Sequence, residues 1–131
     1  MPILLIILIF SILSCEKDDT GLFVETIEVF TGDAPESWVD LNLSNAVGEN
    51  YAYVTLKVTN QATITGDNCL YYFRQNGDTT YYFTGADQNH IIGARPLTSA
   101  QVSIYTDDKG IIEWKTDNSL PTIVEVIAYI K

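Results

Sequence analysis

Strict alternation of apolar and polar residues over residues 51–60, YAYVTLKVTN, constrains the fold of this chain more than any other feature of the sequence. Ala52, Val54, Leu56 and Val58 fall on one face of an extended strand, and tyrosine, threonine and lysine side chains fall on the other. The pattern predicts a strand that is buried on one side. No window carries the i, i+3, i+4, i+7 apolar spacing of an amphipathic helix, so we expect an all-β fold.

Other segments with strand composition begin near residues 22, 38, 70, 80, 101, 111 and 123. Eight short strands in about 110 residues predict a single two-sheet antiparallel β-sandwich, with a jelly-roll order preferred and an immunoglobulin-like order as the alternative. The sequence DDKG, ending at Gly110, predicts a turn that joins QVSIY and GIIEWK as a hairpin, with Gly110 at positive φ. The alternation slips around Glu25, which indicates a bulge or an edge strand.

The last strand pattern, TIVEVIAYIK, is apolar on both faces. One face is predicted to carry Val124, Val126, Ala128 and Ile130, and the other Ile123, Ile127 and Tyr129. We favour a central strand that is partly covered by a second layer. The alternative is a subunit interface through which the chain would form a homo-oligomer.

An apolar run covers residues 3–13 and is interrupted only by Ser11. It is shorter than the roughly 20 residues of a membrane-spanning helix and fits the hydrophobic region of a signal peptide. The run ends in Ile12-Leu13-Ser14-Cys15, which resembles the lipobox of bacterial lipoproteins, in which the cysteine is acylated and becomes the new N-terminus. The continuation CEKDD is similar to the Cys-x-Lys-(Asp/Glu)2 export signal of Bacteroidota-type surface lipoproteins.

This resemblance implies a cleaved signal peptide at residues 1–14, an acylated Cys15 with a charged tether at residues 15–21, and a β-sandwich domain at residues 22–131. Lys17, Asp18 and Asp19 would form the export signal. The implied location is the outer membrane, facing the cell exterior, with the lipid as the membrane partner. Two or three acyl chains, palmitate among them, would make the attachment effectively permanent.

The charge balance argues against nucleic-acid partners. Seven Lys and Arg residues against seventeen Asp and Glu give a net charge of −10, which repels phosphate backbones. The second cysteine of the chain is Cys69. If Cys15 carries lipid, Cys69 has no cysteine left with which to form a disulfide within the chain. Its position at the start of the strand pattern NCLYY predicts a small buried hydrophobe rather than a reactive thiol.

The segment LYYFRQNGDTTYYFTG suggests a binding surface. Asn76-Gly77 predicts a type I′ hairpin that pairs Phe73 with Thr80, Tyr72 with Tyr81, and Tyr71 with Tyr82. Both faces of that hairpin are aromatic, and only one can enter the core. The candidate ligand-binding residues are Tyr71, Tyr72, Arg74, Tyr81 and Tyr82.

A sugar ring can stack on exposed tyrosine, while its hydroxyls bond to neighbouring polar groups. The alternative is that the tyrosine pairs only stabilise the hairpin. Trp38 and Trp114 are expected to be packed rather than facing a ligand.

Catalytic motifs are lacking in the sequence. His90, the single histidine, is expected in a solvated loop, and no nucleophile elbow or Cys/His metal cluster occurs. A calcium ion at loop carboxylates such as Asp107 and Asp108 stays open as an alternative to the expectation of no metal or cofactor. We therefore predict a non-catalytic surface binding module with glycans as candidate ligands. The alternative is a structural or adhesion subunit that homo-oligomerises through its C-terminal strand.

Overall fold

The computed structural model describes residues 26–76 and 90–131. These residues form eight strands and one helical turn. The elements are β1 Ile27–Asp33, β2 Val39–Asn42, α1 Ser44–Val47, β3 Tyr53–Asn60, β4 Cys69–Gln75, β5 His90–Ala94, β6 Thr98–Tyr105, β7 Ile111–Thr116 and β8 Pro121–Ile130. Within this part of the chain, no helix has the length and hydrophobicity needed to cross a membrane.

The strands form two antiparallel sheets of four strands each. Sheet A has the order β1, β8, β3, β6, and sheet B has the order β2, β7, β4, β5. Strands β2, β3 and β4 therefore each lie in the sheet opposite the strand before them. The strand order of the two sheets is that of a jelly roll. The predicted β-sandwich is confirmed. The immunoglobulin-like alternative is wrong, because that order would place the first two strands side by side in one sheet.

The core lies between the sheets and follows the period-two pattern. Val54, Leu56 and Val58 of β3 are fully buried, as their alternation predicts. Trp114 of β7 is 1% exposed and packs edge-on against Phe30, with a ring-centroid distance of 4.8 Å, and parallel to Phe73, at 6.0 Å. The packed position predicted for Trp114 is therefore confirmed.

The predicted hairpin register around Asn76-Gly77 is wrong for the described strand. Tyr71, Tyr72 and Phe73 pair with Ile92, Ile91 and His90 on one edge of β4. Their other edge pairs with Thr116, Lys115 and Trp114 of β7. Since a strand has two edges, none is left at these three residues for the predicted partners at positions 80–82. Strand β5 was not predicted, and the strand predicted near residue 80 lies outside the described residues.

The predicted hairpin of QVSIY and GIIEWK is also wrong, although its turn is present. Gly110 has φ +75°, as expected, and its N–H donates to the Asp107 carbonyl at 3.2 Å. However, β6 pairs with β3 in sheet A, whereas β7 pairs with β2 and β4 in sheet B. The turn carries the chain from one sheet to the other.

A bulge in β8 explains why this strand looks apolar on both faces. Leu56 pairs with Val126 and Thr55 pairs with Ala128, so Ile127 has no partner on β3. The extra residue reverses the alternation beyond it. Val126 points into the core, but Tyr129 then pairs with the buried Val54 and also packs against the core.

The predicted face of β8 is therefore wrong beyond Val126, because Ile130 pairs with the exposed Tyr53 and is itself exposed. The central position predicted for β8 is confirmed, since it lies between β1 and β3. Over residues 122–126, both backbone edges of β8 are thus occupied, and self-association through this part of the strand would have to use its outward side chains.

The irregularity predicted near the start of the domain is also present. β1 is an edge strand of sheet A, and its register with β8 shifts between Glu28 and Phe30. The shift lies a few residues beyond Glu25, which is outside the described residues.

Candidate functional site

The outer face of sheet B collects aromatic and charged side chains from β4, from β7 and from Trp38, the residue before β2. In β4, Tyr71 and Phe73 point inward and are fully buried, so Tyr72 and Arg74 point outward. In β7, the buried Trp114 alternates with the outward Glu113 and Lys115. The register places Arg74 opposite Glu113 and Tyr72 opposite Lys115.

Arg74 is held in a stack on this face. Its guanidinium carbon lies 3.9 Å from the ring centroid of Trp38, which immediately precedes β2, and its Nε donates to Glu113 Oε1 at 3.2 Å. The residue is only 9% exposed. Stacking and the ion pair together stabilise the buried guanidinium. Arg74 therefore supports the surface and offers little of its own area to a ligand.

Lys115 lies between two aromatic rings. Its Nζ is 5.3 Å from the centroid of Trp38 and 5.4 Å from the centroid of Tyr72. All three side chains are half-buried. We call Trp38, Lys115 and Tyr72 the aromatic row. It extends from the residue before β2 across β7 to β4 on the solvent side of sheet B.

A cleft opens at the end of the same face. We call it the β4–β5 cleft; it has a volume of about 280 Å³. Leu70, two residues before Tyr72 on the outward side of β4, forms part of its wall, and Gly93 of β5 lies opposite Leu70. A Cβ on Gly93 would come within 3.2 Å of the Leu70 side chain, so the absent side chain leaves the cleft open. Its lining consists of Asn68, Cys69, Leu70, Gly93, Ala94, Arg95 and Asp117.

The cleft has a fixed polar rim. Asp117 Oδ1 accepts a hydrogen bond from the backbone N–H of Leu70 at 2.8 Å, and the Leu70 carbonyl accepts from the Asp117 N–H at 3.2 Å. The buried Asn60 at the end of β3 donates to the carbonyl of Ala94 at 3.0 Å. These bonds fix the cleft at the end of the sandwich where Asn60 lies.

The structure separates the predicted ligand-binding residues. Tyr71 is fully buried, and its hydroxyl lies 2.9 Å from Thr122 Oγ1. Burial raises the pKa of this hydroxyl well above its ordinary value. This corrects the prediction for Tyr71, because a side chain in the core has no access to an external ligand. Tyr72 and Arg74 lie on the outer face, as described above.

The other predicted site residues lie outside the described residues. They are Tyr81 and Tyr82 of the proposed binding surface, Cys15 of the lipobox, and Lys17, Asp18 and Asp19 of the export signal.

Cys69 is the first residue of β4 and is buried, which confirms the prediction of a small buried hydrophobe. Burial raises its pKa, and its thiol donates to the carbonyl of Asn118 at 3.2 Å. The neutral thiol is therefore favoured, although the residue lies against the cleft.

His90 is exposed, as predicted, but it begins β5 instead of lying in a loop. Over residues 26–76 and 90–131, no three His, Cys, Asp or Glu side chains come together as a metal site. Asp107, considered above for calcium, is engaged in a turn: its Oδ1 accepts from the backbone N–H groups of Lys109 and Ile111, both at 2.9 Å, and its Oδ2 from Asn76 at 2.8 Å.

The Asp107 turn gives a pH-dependent prediction. Burial alone would raise the pKa of Asp107, but hydrogen bonds from Asn76, Ile111 and Lys109 outweigh it and lower the pKa below its ordinary value. In Asp107→Asn, the new amide would face the amide of Asn76 and lose that bond. We expect a loss of about 1–2 kcal/mol in the free energy of unfolding at pH 7, measured by urea denaturation.

The lowered pKa fixes how this loss depends on pH. The charged Asp107 stabilises the fold fully above the unfolded-state pKa of about 4, and its contribution falls as the pH drops through the lower folded-state value. The difference in the free energy of unfolding between wild type and Asp107→Asn should therefore stay constant from pH 7 to pH 5 and become smaller by pH 3. Asp108→Asn, at the exposed neighbour, is the control and should change stability by less than about 0.5 kcal/mol. A gap that is equally large at pH 3 would contradict this explanation.

The chain matches no protein-family model, and no curated protein matches it.

Trp38, Lys115 and Glu113 were not predicted from the sequence as members of the site. The alternation in IIEWKT does place Glu113 and Lys115 on the face opposite Trp114. Their neighbours on that face come from residues 38, 72 and 74, and no local pattern reveals this pairing. Trp38 was expected to be packed, and the structure places it half-buried on the outer face, with one ring face covered by Arg74.

Proposed function

We propose that this protein is a lipid-anchored cell-surface β-sandwich that binds an extracellular glycan, without catalysis, on the outer face of sheet B. The observation that carries the proposal is the aromatic row: two half-buried rings, Trp38 and Tyr72, lie on either side of the Lys115 ammonium group on the outer face of sheet B. Aromatic rings on an exposed sheet face provide flat apolar area at little cost in conformational entropy.

The chemistry of the aromatic row suits a pyranose ring. The C–H face of a sugar packs on an aromatic ring, and its hydroxyls need hydrogen-bond partners around the rim. Lys115 occupies the space between the rings, but it is a flexible side chain at a half-exposed site. Its cation–π contacts are worth only about 0.5–1 kcal/mol each, so a ligand can displace its ammonium group or accept a hydrogen bond from it.

The β4–β5 cleft extends the proposed surface. Leu70 leads from Tyr72 into the cleft, where Asp117 can accept hydrogen bonds from sugar hydroxyls and Arg95 and Asn68 can donate them. A volume of about 280 Å³ lies at the small end of ligand pockets and suits a single ring of a longer chain. The aromatic row and the cleft together would bind an extended oligosaccharide.

We restrict the proposal to binding because the carboxylates near this surface have structural partners. Glu113 is paired with Arg74, and Asp117 caps the end of β4 through the N–H of Leu70. Both groups are engaged in holding the surface in shape.

The cell-surface part of the proposal rests on the lipobox resemblance at Cys15 and on the export signal at Lys17, Asp18 and Asp19. A soluble acidic domain on a short charged tether suits display outside the cell, since the tether stays in water and keeps the domain off the bilayer.

A glycan array tests the binding part of the proposal. The probe is a soluble fragment from residue 21 onward, which includes all eight strands of the described residues. We expect retention of a defined set of oligosaccharides, and we expect Tyr72→Ala and Trp38→Ala each to weaken that binding about five- to thirtyfold, measured by titration calorimetry. Each ring supplies about 1–2 kcal/mol of stacking, which corresponds to such a change.

The matched control is Tyr105→Ala. Tyr105 is 60% exposed on sheet A, far from the aromatic row, and its loss should leave affinity unchanged. Thermal denaturation of all three variants separates lost binding from lost folding. Unaltered affinity in both Tyr72→Ala and Trp38→Ala would overturn this site, and equal losses in the control would mean that binding lies elsewhere.

Cys15→Ala tests the anchor. In cells fed a radioactive palmitate analogue, we expect the wild-type protein to be labelled and to fractionate with membranes, and the variant to lose both properties, because the acylated atom is the Cys15 sulfur. The matched control is Cys69→Ala, which should remain labelled, since Cys69 is buried in the folded domain. Label that persists in Cys15→Ala would exclude the lipobox interpretation.

A further inference from the structure

Edge strands expose unpaired backbone groups. Among the described strands the two sheets have four edges, and three of these carry features that oppose pairing with another chain. β1 carries an irregularity and the charged residues Glu28 and Asp33. β2 has four residues and includes Asp40, and β5 has five residues. Short length, charge and bulges are the features by which natural sheets avoid pairing at their edges.

The fourth edge strand, β6, has none of these features. Its sequence, TSAQVSIY, contains no charged residue and no proline. Its eight residues pair with β3 in an unbroken register, from Thr98 opposite Asn60 to Tyr105 opposite Tyr53. Among the described residues, no strand pairs with its other edge. β6 is therefore a long, regular and neutral edge in a chain whose net charge is −10.

The hydrogen bonds indicate which backbone groups face outward. The N–H of Thr106, just beyond β6, donates to the carbonyl of Ala52 at 2.9 Å, toward β3. Because N–H direction alternates along a strand, the N–H groups of Gln101 and Ser103 point to the free edge. The same residues direct their side chains away from the core, since Val102 and Ile104 are buried.

The centre of β6 is complementary to itself. Residues 99–103 read Ser-Ala-Gln-Val-Ser, with small inward residues flanking Gln101 and serines beyond them. In an antiparallel pair of two β6 strands, inward residues must lie opposite inward residues. Two registers place inward residues opposite inward residues over nearly the full length of both strands. In the first, Gln101 lies opposite Gln101 of the other copy; in the second, Gln101 lies opposite Ser103 of the other copy. In both registers, the two Gln101 side chains are direct or diagonal neighbours.

We propose that two copies of this chain associate through antiparallel pairing of their β6 strands, which joins the two A sheets into one continuous eight-stranded sheet. Self-pairing fits this strand because it brings no charges together, whereas the acidic remainder of the chain repels its copy. Residues 122–126 of β8 pair with β1 on one edge and with β3 on the other, so this part of the C-terminal strand has no free edge for the corresponding pairing. The surface is separate from the aromatic row, which lies on sheet B.

Charge substitutions at Gln101 test the dimer. The full-length chain is purified in non-ionic detergent, and the protein mass of the complex is measured by size-exclusion chromatography with light scattering. A single strand pair buries less area than a standard interface, so the measurement runs up to about 100 µM. We expect twice the mass of one chain for wild type, and the mass of one chain for Gln101→Lys and for Gln101→Glu, because a two-fold axis places like charges side by side.

An equimolar mixture of the two variants should restore the double mass, since the introduced ammonium group of one chain then meets the introduced carboxylate of the other. The matched control is Gln61→Lys, at an exposed residue just outside β3, which should remain dimeric. Circular dichroism establishes that each variant is folded. A wild-type chain that is monomeric at 100 µM would overturn the dimer and would leave the free edge of β6 to a strand of another protein. Twice the mass of one chain in both single variants would also overturn it. So would an equimolar mixture of the two variants that stays monomeric.

Hydrogen exchange provides a second measurement on the unmodified chain. The N–H groups of Gln101 and Ser103 should exchange at least tenfold more slowly at 100 µM than at 1 µM, while those of Val102 and Ile104 should be protected at both concentrations. Exchange at Gln101 and Ser103 that is independent of concentration would also overturn the proposal.

Discussion

Trp114→Ala should lower the free energy of unfolding by about 3–5 kcal/mol, as expected for truncation of a fully buried aromatic side chain. The indole is 1% exposed and packs between Phe30 and Phe73, at centroid distances of 4.8 and 6.0 Å, so its removal leaves a cavity where the two sheets meet. Domains of this size are stable by only about 5–15 kcal/mol, and the melting temperature should fall by more than about 10 °C. Circular dichroism during thermal and urea unfolding gives both values.

The control for this substitution is the other tryptophan. Trp38 is half-buried on the outer face of sheet B, where the guanidinium of Arg74 stacks on its ring. Trp38→Ala should remove stacking worth about 1 kcal/mol and leave no internal cavity. Equal destabilisation by the two substitutions would mean that the core does not lie where the structure places it.

Gly110→Ala should destabilise the fold by about 2–5 kcal/mol, the sum of backbone strain and overpacking. Gly110 has φ +75°, which alone disfavours an L side chain by about 1–2 kcal/mol. A Cβ at this position would also overlap the carbonyl oxygen of Gly48, with the backbone of Ser44 and the side chain of Val47 both 3.3 Å away. Overpacking of this kind adds about 1–3 kcal/mol. Urea denaturation with a constant m-value would give the difference.

Gly66→Ala separates the two causes. Gly66 also has a positive φ, +97°, but nothing lies within 4 Å of the position that a Cβ would take, so only the backbone strain of about 1–2 kcal/mol should be observed. If Gly110→Ala is no worse than Gly66→Ala, the turn can move away from the helical turn α1, and the packing explanation is wrong.

Local pattern predicted those parts of the fold that depend on local physics. The alternation of β3, the burial of Cys69 at the start of β4 and the positive φ of Gly110 all follow from residues close together in the chain. The all-β class and the two sheets follow from eight such segments in a chain of this length.

Strand partners could not be predicted in the same way. A strand's alternation shows which side faces the core, but it does not show which strand lies beside it. The turn pattern at Asn76-Gly77 therefore led to a predicted pairing of Tyr72 with the nearby Tyr81. In the structure, Tyr72 pairs with Ile91 of β5 on one edge of β4. In β8, the single extra residue Ile127 reversed the alternation, and a pattern read with a fixed period of two assigned Ala128 and Ile130 to the wrong face.

The candidate site shows the same limit. Tyr72 and Arg74 were identified because aromatic and charged residues are adjacent in the sequence, and Tyr71 was included for the same reason although it belongs to the core. Trp38 and Lys115 reach the site through pairing between β2, β7 and β4. Contacts between residues so far apart in the chain leave no signal in a single sequence.

The direction of β1 has a consequence for how the domain would be presented. β1 runs from Ile27, beside Val126 in the middle of β8, to Asp33, beside Pro121. Asn60, which pairs with Thr122, lies at that same end and holds the carbonyl of Ala94 at the β4–β5 cleft. The chain therefore enters the sandwich heading toward the cleft, and a domain tethered through the residues before Ile27 would direct the cleft away from the membrane. A glycan on a neighbouring cell or in the surrounding medium would then approach from the side on which Arg95 and Asp117 line the cleft.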